Sequence, residues 1–164
     1  MRVRKLIQEA NNSSISFGEY IQRLHKNMFL YTDELKNEIT FVRSKKDTFY
    51  LEDLIAIASI DGVDNRLTII LCELLKEHWH QRHEDIVMLL DAIKDNSSVD
   101  ILYETALNIP DYDEGRSLAK KCIWALGSIN TLEAKINLKL LCDVNDPIIK
   151  EAATKELIRL GNPK

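Results

Sequence analysis

The amino-acid sequence predicts an all-α fold, an α-solenoid of antiparallel helix pairs with an N-terminal helical cap. Three observations carry this expectation. From about residue 47 onward, apolar residues recur at steps of three and four, separated by short polar breaks. Only five glycines and three prolines punctuate the 164 residues, too few for a β-rich chain. The last fifty residues also repeat. Sliding the chain by 34 positions aligns Ala119 with Ala153, Lys121 with Lys155, Ile123 with Leu157, Leu126 with Leu160 and Gly127 with Gly161.

The elements follow in order. Residues 1–46 read as an extension of one or two helices, around 17–29 and 33–42, that caps the open apolar end of a body spanning 47–164. The body opens with a helix near 48–60, carrying Leu51, Leu54, Ile55 and Ala58, and Asp61-Gly62-Val63-Asp64 breaks it. The next, near 65–79, places Leu67, Ile70, Leu71, Leu74, Leu75 and His78 on one stripe. A helix near 83–95 follows with Ile86, Val87, Leu89, Leu90 and Ile93, then a cap at Asp95-Asn96-Ser97-Ser98. The helix near 98–109 carries Ile101, Leu102, Thr105, Ala106 and Ile109, and residues 110–115 form the longest acidic loop. Helices near 116–127, 132–143 and 147–160 complete the chain. Gly127 and Gly161 are expected to stop their helices in the left-handed conformation glycine tolerates, and Asp146-Pro147 to open the last as N-cap and first-turn proline. The 132–143 segment is apolar on nearly two faces, so it must be sandwiched between neighbours. Trp124 falls opposite Ile158 in the repeat and is expected in the core.

The stretch R-x-x-A-x-x-x-x-x-A-L-G-x-I from Arg116, then Leu132-Glu133-Ala134, Asp146-Pro147 and a helix ending Leu160-Gly161, resembles HEAT repeats of the short bacterial, phycocyanobilin-lyase-like type. The segment His78-Trp79-His80-Gln81-Arg82-His83-Glu84-Asp85-Ile86-Val87, with Val99-Asp100 and Leu102-Tyr103, is similar to small bacterial HEAT-repeat proteins, some of them like immunity proteins of polymorphic toxin systems. The resemblance covers about residues 50–161. It implies a HEAT-like α-solenoid and a protein-binding role, but HEAT folds carry many functions.

Charge is uneven. Residues 1–46 hold 9 Lys/Arg against 5 Asp/Glu, whereas residues 47–164 hold 13 against 21. An acidic body disfavours a nucleic-acid partner, whose phosphates need a basic surface. Cys72, Cys122 and Cys142 form no C-x-x-C pair and leave a thiol over, which points to a reducing, cytoplasmic setting. No segment reaches 18 consecutive apolar residues, so no membrane span is expected.

Two clusters could carry function. His78, His80, His83, Glu84 and Asp85 lie within eight residues, a combination familiar from metal sites. Yet no H-E-x-x-H occurs, since Val87 holds the required position. The iron-binding HEAT enzymes, the deoxyhypusine hydroxylases, use several His-Glu pairs on separate repeats, and this chain has one. The reading preferred is a structural turn, with His78 and His83 partly buried, Glu84 and Asp85 at a helix N-terminus, and no metal or other cofactor. The second cluster is acidic: Asp91, Asp95, Asp100, Glu104, Asp111, Asp113 and Glu114 stand against the single base Lys94 over residues 91–114. With Tyr112 and His80, these acids form the expected partner-binding set. They would steer a basic protein, such as a toxin domain, by complementary charge. No phosphate loop, G-x-S-x-G or paired cysteine–histidine nucleophile is found, so no catalytic residue is assigned. The expectation is a cytoplasmic, non-enzymatic protein-binding module of the immunity-protein kind, with a metal-dependent HEAT enzyme or a nucleic-acid-binding protein as alternatives.

Overall fold

The computed structural model describes residues 2–25, 28–108 and 110–161. Among these residues every regular element is helical, and there is no strand. The α-helices are α1 (Arg2–Asn11), α2 (Phe17–His25), α3 (Met28–Lys45), α4 (Thr48–Asp61), α5 (Thr68–Leu75), α6 (His83–Ile93), α7 (Val99–Leu107), α8 (Ser117–Ile129), α9 (Leu132–Leu141) and α10 (Pro147–Gly161). One-turn 3-10 helices, Asn65–Leu67 and Asn96–Ser98, lead into α5 and α7.

Packing follows a regular scheme. Helix α3 packs on α4, α5 on α6, α7 on α8 and α9 on α10. Each also touches the helix two places on, so that α4, α6, α8 and α10 lie side by side, as do α3, α5, α7 and α9. One continuous core threads all of them, from Val3 and Leu6 through Leu54, Leu71, Leu90, Leu102 and Leu126 to Ile149 and Ala153. The N-terminal part holds three helices where one or two were expected. Helix α3 spans the predicted 33–42, while α1 has no counterpart in the sequence reading. The 17–29 helix ends at His25, and residues 26 and 27 lie outside those described, as does Ile109.

Helix α1 is fixed by a buried carboxylate. Glu38 of α3 accepts hydrogen bonds from Arg4 (Nη2, 2.7 Å) and from the Tyr50 hydroxyl of α4 (3.0 Å). The Arg4 guanidinium lies over the Phe41 ring, 4.4 Å from its centroid. Burial pushes the Tyr50 phenol up to about 12.

The connections explain where helices stop. Gly62 takes a left-handed φ of 87°, a value costly for any other residue, and frees Asp64 to cap the following turn. Asp146 accepts from the Ile148 and Ile149 amides, and α10 begins at Pro147, as expected. The glycine stops are corrected. Gly127 lies inside α8, buried, and α8 runs on to Ile129, with Asn130 as its C-cap at φ 57°. Gly161 ends α10 without a left-handed φ. The role of Gly127 is contact: a methyl group there would overlap the Glu156 carboxylate of α10. Helix α5 also ends at Leu75, four residues short of the expected 79, which leaves His78 exposed in the following turn instead of on the buried stripe.

Polar links tie each turn to the next. Thr32 donates to Asp64 (3.5 Å), Thr68 to Asp95 (3.1 Å) and Thr131 to Asn96 (2.7 Å), while Asn96 donates to Glu133 (2.6 Å). The dipeptide Asp-Asn at 64–65 and again at 95–96 marks two of these turns, a 31-residue echo that the apolar pattern hides.

Candidate partner-binding surface

The turn 76–82 and the loop 108–116 meet at one end of the molecule. At the end of the short α5 the Glu73 and Leu74 carbonyls accept amides of the turn, and side chains add to these bonds. His80 does this through Nε2, 3.1 Å from the Leu74 carbonyl, and its Nδ1 accepts from the Arg82 amide at 3.2 Å. His83 repeats the device, with Nε2 2.9 Å from the Glu77 carbonyl and Nδ1 accepting from the Tyr112 hydroxyl at 2.6 Å. A carbonyl can only accept, so Nε2 carries a proton in both rings; the Arg82 amide donating to Nδ1 makes His80 the neutral tautomer, and burial favours the neutral form of His83. Their rings lie 4.6 Å apart, with Trp79 edge-on to His80. Burial pushes His80 down to about 4 and lowers His83 as well. All four ring nitrogens are committed to protein groups, which leaves no lone pair for a metal. His80, expected to touch a partner, is buried and belongs to this turn instead. Tyr112 stays exposed across its ring, so the loop is anchored by its hydroxyl while its face remains open.

The acidic set separates. Helix α7 rises about 1.5 Å per residue between Asp100 in its first turn and Glu104 in its last. The two are therefore one turn apart, about 6 Å along one side of the helix, with Asp95 in the turn before α7 and Asp111 and Glu114 on the loop beyond it. Asp113 is corrected from a contact residue to a cap. It is buried, and its carboxylate accepts from the Ser117 (2.6 Å) and Leu118 (3.0 Å) amides at the start of α8. Asp95 accepts from Ser97 and Thr68, and these bonds hold it below the usual carboxylate range. Asp91 is half-buried on α6, with its Oδ1 unpartnered among the described residues. Asp100, Glu104, Asp111 and Glu114 are exposed. At the 108–116 end, a cleft of about 670 Å³ runs between α5 and α7, lined by Lys76, His78, Glu104, Asn108 and the apolar Leu75 and Ile101.

A different surface was missed. Trp124 is 54% exposed, not core, and Ile158, its partner in the 34-residue register, is 59% exposed. Met88 on α6 is 56% exposed. These three project from consecutive neighbours α6, α8 and α10 and form an apolar row across one face. Lys121, one turn before Trp124, bridges to Glu84 (2.7 Å) and reaches the Met88 sulfur at 3.7 Å, which fixes the α6–α8 part of the row. The sequence carries a signal for it, because the 34-residue register gives Trp124 and Ile158 one shared position. Both residues at the shared position are exposed, so it lies on the surface and not in the core.

Comparison of the chain with family models, with curated proteins and with solved structures gave no match. Among the described residues, no helix is long and apolar enough to cross a membrane.

Proposed function

We propose that this chain is a HEAT-like α-solenoid acting as a non-enzymatic protein-binding module, and that its partner covers the face built from α6, α8 and α10. The observation that carries this reading is the row Met88, Trp124 and Ile158, one large exposed apolar side chain on each of three neighbouring helices. Packing inside the molecule does not account for a half-exposed tryptophan flanked by two exposed aliphatic side chains, and contiguous apolar patches rimmed by charge are a mark of protein interfaces. Tryptophan is the residue type most enriched among interface hot spots. The acidic balance of residues 47–164 supports a basic partner, and a cytoplasmic immunity role, in which a rigid surface occludes a toxin domain, suits these features.

The test is affinity capture from the native host with the parent chain and with Trp124→Ala. A captured protein that is lost on this substitution, at unchanged thermal stability, supports the face. Equal capture by both chains overturns it. For the identified partner, the association rate should fall as salt rises, and a salt-independent rate removes the steering role of the acids. For the immunity role, the parent chain should abolish the partner's toxic activity at equimolar ratio. A partner that stays active in the complex overturns that role.

A further inference from the structure

We propose that α9 is the dimerisation helix of this protein and that its occupant is a second copy of the chain, packed about a two-fold axis parallel to α9. Leu132, Ile136 and Leu140 recur at every fourth position and form one apolar stripe along the outer side of α9. They are 75%, 47% and 48% exposed. The opposite side, with Ala134, Leu138 and Leu141, is buried against the body. A helix apolar on two sides has one side to spare. On α7 the matching outer positions, set by the alignment of buried Leu102 with Leu138 and Thr105 with Leu141, are Asp100 and Glu104. The stripe is thus absent from α7, the neighbour of α9 in its row.

The charges beside the stripe identify the occupant. Glu133 is bonded to Asn96 at the start of α7, so its edge of α9 faces α7. On this side stand Glu133, Asp100 and Glu104. Lys135 and Lys139 fall on the far edge, since each residue turns the helix by about 100°. Asp100, Glu104, Lys135 and Lys139 make no ion pair among the described residues. Elsewhere Glu84 pairs with Lys121, Arg116 with Asp146 and Lys155 with Glu151. A stripe with one acidic and one basic edge is complementary to itself. A two-fold axis along the helix sets the lysine edge of each copy against the acidic edge of the other. An axis that reversed the helix would set like charges together. The α9 stripe is distinct from the Met88–Trp124–Ile158 row, so the inference does not rest on the proposed function.

Light scattering and sedimentation of the full chain, from about 1 µM to about 500 µM, cover the range expected of a small interface. The mass should rise from 18.9 kDa towards twice that value. The variants Lys135→Glu/Lys139→Glu and Asp100→Lys/Glu104→Lys should each be monomeric over this range, because the first is acidic on both edges and the second, with Glu133 outnumbered by two lysines, is net basic on both. Mixed in equal amounts they should associate again as a heterodimer, which shows that both are folded. Ile136→Asp should be monomeric alone and in every mixture. A parent chain that stays monomeric throughout overturns the proposal, as does a dimer that persists in both charge-reversed variants or a mixture that fails to associate. Trp124→Ala should leave the dimer intact.

Discussion

At the scale of single residues, the paired histidines have the sharpest consequence. His80 and His83 are held neutral in the fold because their rings are buried and their nitrogens are bonded to carbonyls and donors. The unfolded chain takes up a proton near 6.5, whereas folded His80 does so only at about 4. The folded state therefore binds fewer protons between these values. Stability is complete above 6.5 and declines as pH falls towards 4, a loss on the order of 3 kcal/mol from His80. Urea midpoints at pH 7.5, 5.5 and 4.5 should fall in that order, and the fall from 7.5 to 5.5 should shrink in His80→Gln. Carboxylates such as Asp64 and Asp146, held low by arginine, add their loss only at lower pH. A flat response between 7.5 and 5.5 contradicts the bonding described for the pair.

At the scale of helices, the α8–α10 contact depends on one missing side chain. Glu156 is buried against Gly127 and bonded to Arg159 (Nε, 3.0 Å). Gly127→Ala would normally stabilise a helix interior by about 1 kcal/mol. Here the methyl meets the carboxylate, and overpacking of this kind costs about 1–3 kcal/mol. The expected net result is a lower thermal midpoint. Glu156→Ala in the same background should recover part of the loss, a coupling a double-mutant cycle reads directly. A stabilised Gly127→Ala would place α10 further from α8 than the structure does. The sequence made this glycine visible, but a register can show only that a position repeats. It cannot distinguish a helix stop from a close approach, because either requires the absence of a side chain. The same limit misplaced Trp124. Periodicity marks a face, and only the neighbours decide whether that face is covered.

At the scale of the molecule, burial is graded along the chain. Helix α8 is enclosed by α6, α7, α9 and α10, whereas α1 rests on α2 and α3 and is secured by Arg4. Amide exchange should be slowest in α8 and much faster in α1, since local opening follows the contacts that must break. Arg4→Met should speed exchange in α1 and lower global stability by about 1–3 kcal/mol, the range for leaving a buried acceptor short of a donor. Exchange in α8 that tracked α1 equally would mean a single opening unit. The 34-residue echo shows the same gradient. Ala119 and Ala153 are both buried, but Ile123 and Leu126 are buried while Leu157 and Leu160 are only partly so, because no helix follows α10 among the described residues.

The sequence by itself determined that the chain is helical, where most of its helices from residue 47 onward lie, and how the last one is capped. These follow from local physics: apolar spacing, scarce glycine and proline, and Asp-Pro at a helix start. Tertiary structure decided what each recurring position is for. His80 and Asp113 are charged or polar in sequence and so read as surface, yet unsatisfied helix ends draw them inside as hydrogen-bonding caps. Trp124, the Ile158 that shares its register position, and the Leu132–Leu140 stripe read as core, yet the placement of their neighbours leaves them in water. Hydrophobicity sets a tendency to be covered, and the arrangement of the other helices sets whether a cover exists within the chain.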